Sequence, residues 1–228
     1  MLSALLLLLV TMTAPAEPPA TASSAAPRPL RIVLIGASIA RGWQLDAFAA
    51  RSGRSDVVLE YVGEYGFDKS KSLAAVLARG GDRPDVVILK ECGAYFPGDQ
   101  PAYEAMLRRW VDTLRAAGIA PVLATVAPVA EPQGVLAHLK EFVKIRILRR
   151  EDQNEAIARY NAWLRGYAAE QKLAVLDLEA ALSAAEGGPR LDPRYDGGDG
   201  LHLNDAAYPV LDRELGMVID RLERPAGR

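Results

Sequence analysis

Short apolar runs alternate along this chain with longer stretches in which apolar residues recur at helical spacing. Residues 30–35, 57–62, 85–89, 121–127 and 173–178 are rich in Val, Ile and Leu and have the length of buried strands. Between them, residues 39–50, 69–78, 101–117 and 151–171 carry the period of amphipathic helices, and residues 204–222 form a last one. Continuous apolar strands need cover on both faces, and strand–helix–strand crossovers are right-handed. The alternation therefore predicts an α/β fold, a three-layer α/β/α sandwich around a five-stranded parallel sheet. After Pro29 no Pro/Gly/Ser-rich linker interrupts the chain, so residues 30–228 are expected to form one domain, frayed over residues 223–228.

Three stretches depart from the pattern. Residues 1–10 are Leu-rich and lead into Ala14-Pro15-Ala16, the small-x-small pattern that signal peptidase accepts. That apolar run is much shorter than the roughly 20 residues of a membrane-spanning helix. Residues 1–16 are thus expected to be a signal peptide, the product to be periplasmic or secreted, and no stable membrane insertion to remain after cleavage. An uncleaved anchor is the alternative, because no Lys or Arg precedes the run. Residues 17–29, mostly Ala, Pro, Ser and Thr, read as a flexible leader that cannot bury enough surface to order itself. Residues 136–150 are basic and apolar, and read as a solvated helix face, a lid, or a membrane-surface helix.

Composition narrows the classes further. The 228 residues are 50% hydrophobic and 25% charged, as in an ordinary soluble domain. A formal net charge of -2 with interspersed signs lacks the basic field that nucleic-acid binding requires. Cys92 is the single cysteine, so no intramolecular disulfide forms, and no cysteine follows the apolar run where a lipoprotein would be acylated.

Two places carry candidate chemistry. Gly36-Ala37-Ser38-Ile39 puts Ser38 where strand one hands over to a helix, at the carboxyl edge where open α/β sheets bind ligands. Ser38 is either a helix N-cap or a nucleophile with backbone N–H groups beside it. Asp199-Gly200-Leu201-His202 precedes the last helix in a chain with only two histidines. A carboxylate three residues upstream in a turn can fix the imidazole tautomer, and the imidazole can then take a serine proton. The alternative is that residues 196–200 are only an Asp/Gly turn. A metal site at Asp192, Asp196, Asp199 and His202 ranks lower, since the run lacks the spacing of a calcium loop and a second His for zinc. His138 has no acidic neighbour before Glu141 and is assigned no role.

Taken together, Gly-x-Ser after the first strand and Asp-x-x-His before the last helix resemble the first and last sequence blocks of the SGNH, or GDSL-like, hydrolases. Tyr61-Val62-Gly63-Glu64-Tyr65-Gly66 looks like the family's second block, and Tyr160-Asn161 like the Tyr-Asn of its late helix. The resemblance implies a flavodoxin-like sandwich, a Ser38–His202–Asp199 triad, and no metal or cofactor. It also implies an oxyanion hole made by the N–H groups of Ser38 and Gly66 and an asparagine side chain. The family's Gly-x-Asn-Asp block would fall at Lys90-Glu91-Cys92-Gly93, which places Cys92, a weak donor, at the asparagine position. Ala37 replaces the acidic residue of Gly-Asp-Ser.

Lys90 is the candidate substitute donor, against the reading of a solvated strand-end lysine; Glu91 either pairs with it or binds a polar substrate. A Cys92/His202 nucleophile scheme ranks below Ser38. Trp43, Tyr65, Tyr95 and Phe96 are expected either to ring the pocket or to pack in the core. The expected activity is hydrolysis of carboxylic esters, acyl or acetyl, on a small molecule, an extracellular glycan or a lipid. Acyl transfer to a glycan, and a binding or accessory protein with weakened catalysis, are the alternatives.

Overall fold

The computed structural model describes residues 28–131, 151–185 and 188–223. The signal peptide, the leader before Arg28, His138 and the basic segment 136–150 lie outside the described residues. No helix among the described residues is long and apolar enough to cross a membrane.

Five strands, β1 (Leu30–Gly36), β2 (Val57–Gly63), β3 (Val86–Lys90), β4 (Ala120–Ala124) and β5 (Ala174–Leu176), form one parallel sheet in the order β2-β1-β3-β4-β5. This is the flavodoxin-like order. The helices are α1 (Ser38–Gly42), α2 (Phe48–Ser52), α3 (Ser70–Leu77), α4 (Gln100–Ala116), α5 (Gln153–Gln171), α6 (Leu178–Leu182) and α7 (Tyr208–Glu223).

Alternate strand residues feed two separate cores, which is why the strands read as unbroken apolar runs. Ile32, Leu34, Val86 and Ile88 pack with Phe48 of α2, Leu178 and Leu182 of α6, and Leu211 and Leu215 of α7. Val33, Ile35, Val87 and Leu89 face the other way, onto Leu73 of α3, Trp110 and Leu114 of α4, and Ile157 and Leu164 of α5. The sheet is thus covered on both faces, as expected. Edge strand β2 is buried and exposed by turns over its first half, and its one charged residue, Glu60, binds Arg79 at 2.6 Å and 2.7 Å, charges that discourage pairing with another chain. Glu223, expected to fray, closes α7 with its carboxylate 2.8 Å from Arg54.

At four places a local cause shifts an element away from the sequence reading. The helix expected over residues 39–50 is divided into α1, a 3-10 turn at Leu45–Ala47 and α2, because Gln44 takes a left-handed conformation at φ 48°. Residue Leu178, expected to end a strand, starts α6, since Asp177 caps that helix by accepting the Ala180 N–H at 3.1 Å. The last helix starts at Tyr208 rather than residue 204: the Asn204 side chain holds a turn instead, accepting from the Ala206 N–H at 3.0 Å.

The ladder of β4 ends at Ala124 rather than Ala127 because side chains take over from a strand. Asn161 on α5 accepts from the Val126 N–H at 2.8 Å and donates to the Val126 carbonyl at 2.9 Å. Asn154, two turns earlier, does the same for Val129, at 3.0 Å in both directions. Asn161→Leu leaves both Val126 groups buried and unpaired, and is expected to cost about 2–6 kcal/mol at roughly 1–3 per group. The urea unfolding midpoint should drop with an unchanged m-value; an unshifted midpoint would contradict this role.

Candidate active site

Ser38 is the first residue of α1, directly after β1. The chain leaves β1 for β2 on one side and later returns to β3 on the other, so Ser38 stands at the switch point where such sheets form a crevice. Ala37, in an extended conformation, occupies the cap position without a side-chain cap bond, so the serine is not an N-cap. Its hydroxyl lies 2.9 Å from His202 Nε2 instead.

The imidazole comes from the turn before α7. Asp196 Oδ1 accepts from the N–H groups of Gly198 at 2.9 Å and Gly200 at 3.0 Å, and Gly200 holds a φ of +76° that a side chain would strain. Gly197 must be bare for another reason: a Cβ there would meet the His202 carbonyl oxygen at 2.9 Å. The folded turn aims Asp199 back on its own chain. Its Oδ1 accepts from the backbone of Leu201 at 2.9 Å and of His202 at 2.7 Å, and its Oδ2 lies 2.5 Å from His202 Nδ1. The His202 ring bond, then the backbone N–H groups of His202 and Leu201, hold the Asp199 carboxyl well below the usual carboxylate range. A permanently ionised Asp199 draws the imidazole proton to Nδ1 and leaves the Nε2 lone pair facing Ser38. The structure therefore brings Ser38, His202 and Asp199 into one hydrogen-bonded line across a separation of 164 residues.

A cleft of about 440 Å³ opens beside Asp199, among walls that include Ala94, Val129, Glu131, Gln153, Asp196 and Leu201. Residues 34–210 match the GDSL-like lipase/acylhydrolase family. The chain belongs to that family. Among solved structures, a GDSL-like lipase from Bacteroides thetaiotaomicron is 18% identical with a TM-score of 0.62, over 84% of this chain and 88% of that one. A candidate acylhydrolase from Bacteroides fragilis is 22% identical, TM-score 0.63, over 87% and 92%. A catalytic mutant of an acetylxylan esterase from Geobacillus stearothermophilus is 15% identical, TM-score 0.59, over 84% and 94%. At such identities the likeness is one of fold. No curated protein matches.

The donors implied by GDSL-like membership fare unevenly. The Gly66 N–H donates to Glu64 Oε1 at 3.1 Å, and Glu64 Oε2 accepts from Ser72 Oγ at 2.8 Å, so that N–H is engaged. These two bonds, the Ser72 hydroxyl first, lower the Glu64 pKa. Lys90, expected at the strand end as a substitute donor or a solvated side chain, is buried because β3 extends one residue further than read, and its amine donates to the Glu91 carbonyl at 2.9 Å. Cys92 is also buried. The residue of this segment that reaches the cleft is Ala94, in the 3-10 turn Gly93–Tyr95. Cys92→Asn is accordingly expected to leave ester turnover no faster and to cost about 1–3 kcal/mol for a buried amide; faster turnover would put position 92 at the oxyanion.

Of the aromatic residues expected either to ring the pocket or to pack in the core, Trp43 and Phe96 are core residues. Trp43 donates its indole N–H to Asp212 at 2.7 Å, on the α7 side. Tyr65 is exposed and Tyr95 half-buried. The acidic residues of the metal alternative have separate tasks: Asp192 binds Arg194 at 2.6 Å, Asp196 shapes the turn, and Asp199 holds His202.

Proposed function

We propose that this GDSL-like hydrolase cleaves carboxylic esters through a Ser38–His202–Asp199 triad, and the unbroken hydrogen-bond line from Asp199 to the Ser38 hydroxyl carries the reading. Ser38 Oγ attacks the ester carbonyl carbon while its proton passes to His202 Nε2. The tetrahedral intermediate collapses, the alcohol leaves with the proton returned by His202, and the acyl group stays on Ser38. Water then attacks with His202 as base, releasing the acid. Asp199 keeps the imidazole in the required tautomer and stabilises the imidazolium.

Ser38 supplies the first oxyanion donor, since the N–H of the first helical residue has no partner inside its helix. The Gly66 N–H serves as a second donor when Glu64 releases it. The side chains of His202 and Asp199 are 47% and 55% exposed, which gives water access to the acyl-enzyme and favours hydrolysis over transfer. Residues 1–16 act as an export signal in this reading, which directs the enzyme to acetyl or acyl esters outside the cytoplasm; the fold likeness to an acetylxylan esterase supports acetyl groups. The test is a series of p-nitrophenyl esters from acetate to palmitate, with acid and alcohol quantified. Equimolar release is expected, fastest for the short chains, and a protein that hydrolyses none of the series contradicts the proposal.

A further inference from the structure

The carboxyl end of β1 is bridged by a buried ion pair that the hydrolytic reading does not use. Lys69 follows the loop after β2, and Glu91 follows β3. Because β1 lies between β2 and β3, a bond between these two residues crosses over the strand that leads into Ser38. The Lys69 amine donates to Glu91 Oε2 at 2.8 Å, and the two side chains are 0% and 2% exposed. The same amine donates to the Gly66 carbonyl at 3.4 Å and lies 5.9 Å from the ring centres of both Phe67 and Tyr95. On the Glu91 side, the Lys90 amine fixes the carbonyl of residue 91. At its other end the loop is tied to β1, through the Glu64 N–H donating to the Gly36 carbonyl at 2.9 Å.

Stability alone is a poor explanation for such a pair. Two charges taken out of water lose hydration that their attraction barely restores, and apolar side chains of similar volume commonly serve the fold as well. Here the loss is compounded, for Glu91 Oε1 is buried without a hydrogen-bond partner among the described residues. Burial pushes the Glu91 carboxyl up to about 7, against the pull of Lys69. What the pair supplies and apolar packing does not is direction: one ammonium fixes a backbone carbonyl of the loop and a side chain beyond the far strand at the same time.

We propose that Lys69 and Glu91 are positioning residues, a clamp that sets the Gly66 loop relative to the Ser38 turn and so the oxyanion donors relative to the nucleophile. This inference rests on the Ser38 hydrolysis reading. The alternative role is purely structural, and the double replacement Lys69→Met/Glu91→Leu separates the two. Either single replacement leaves a buried charge unpaired and can unfold the protein, whereas the double one removes both charges at similar volume. The expected result is a melting temperature and KM close to wild type, with kcat on p-nitrophenyl acetate lowered about a hundredfold, as for a reacting group displaced by about 1 Å. Wild-type kcat in the double variant overturns the clamp, as does loss of the fold, which would make the pair a determinant of folding. A wild-type protein without Ser38-dependent turnover refutes the hydrolysis reading itself, so the two failures are distinguishable.

Discussion

Replacing Ser38 with alanine is expected to lower kcat on short p-nitrophenyl esters by on the order of 10⁵-fold or more, with the melting temperature nearly unchanged. The size follows from geometry: the hydroxyl 2.9 Å from His202 Nε2 is the only group in the line that can form the acyl bond. What remains without it is whatever the oxyanion donors and substrate binding contribute to attack by water. The hydroxyl caps no helix, so its loss costs the fold little. The check is steady-state kinetics on matched preparations, and a variant retaining a tenth of the activity would assign the chemistry to another residue.

The second large effect is expected at Asp199→Asn, on the order of 10³–10⁴-fold in kcat. The asparagine oxygen can still accept the N–H groups of Leu201 and His202, so the turn survives. Its amide, however, then donates to His202 Nδ1 where the carboxylate accepted, which forces the imidazole proton onto Nε2. The ring faces Ser38 with a donor and cannot take its proton. In the wild type, Asp199 stays ionised well below the ordinary carboxylate range, so its own protonation should not appear on the acid side of the kcat/KM profile near neutral pH. The depressed carboxyl adds stability above its unfolded pKa and loses it as pH falls through the folded value. With a half-exposed side chain, that contribution is small.

What could be read from the chain alone follows from where each signal resides. Strands β1 and β3 were legible to within a residue or two because both their faces are buried, and that leaves unbroken apolar runs; edge strand β2 was legible from its Val and Leu content, although Val58 and Glu60 on it are exposed. The break at Gln44 was not, since a single left-handed residue leaves the apolar periodicity on either side intact. Ser38, Asp199 and His202 stood out through rarity and local spacing, for His202 is one of only two histidines and stands three residues after Asp199. That they meet depends on the parallel sheet, which brings the end of β1 and the turn before α7 to one edge.

The contacts missed are those whose partners are distant along the chain. Asn161 and Asn154 stand in for a strand beside Val126 and Val129, and nothing in an isolated asparagine announces a backbone 35 or 25 residues away. Lys90 and Glu91, charged residues at the end of an apolar run, did signal something unusual. The reading turned Lys90 toward the pocket or solvent and Glu91 toward Lys90 or a polar substrate. The structure pairs Glu91 with Lys69 instead, and buries all three. Taking the strand to end at Leu89 shifted the following turn, and so drew attention to Cys92 rather than Ala94.

The central claim is that His202 makes Ser38 nucleophilic, and covalent trapping tests it most directly. The protein would be treated with a fluorophosphonate, its mass measured intact, and the modified residue located by peptide mapping, alongside His202→Ala. The account predicts one phosphonyl group per chain on Ser38, with labelling nearly abolished in His202→Ala. No adduct, an adduct on Cys92, or equal labelling without the imidazole would contradict it.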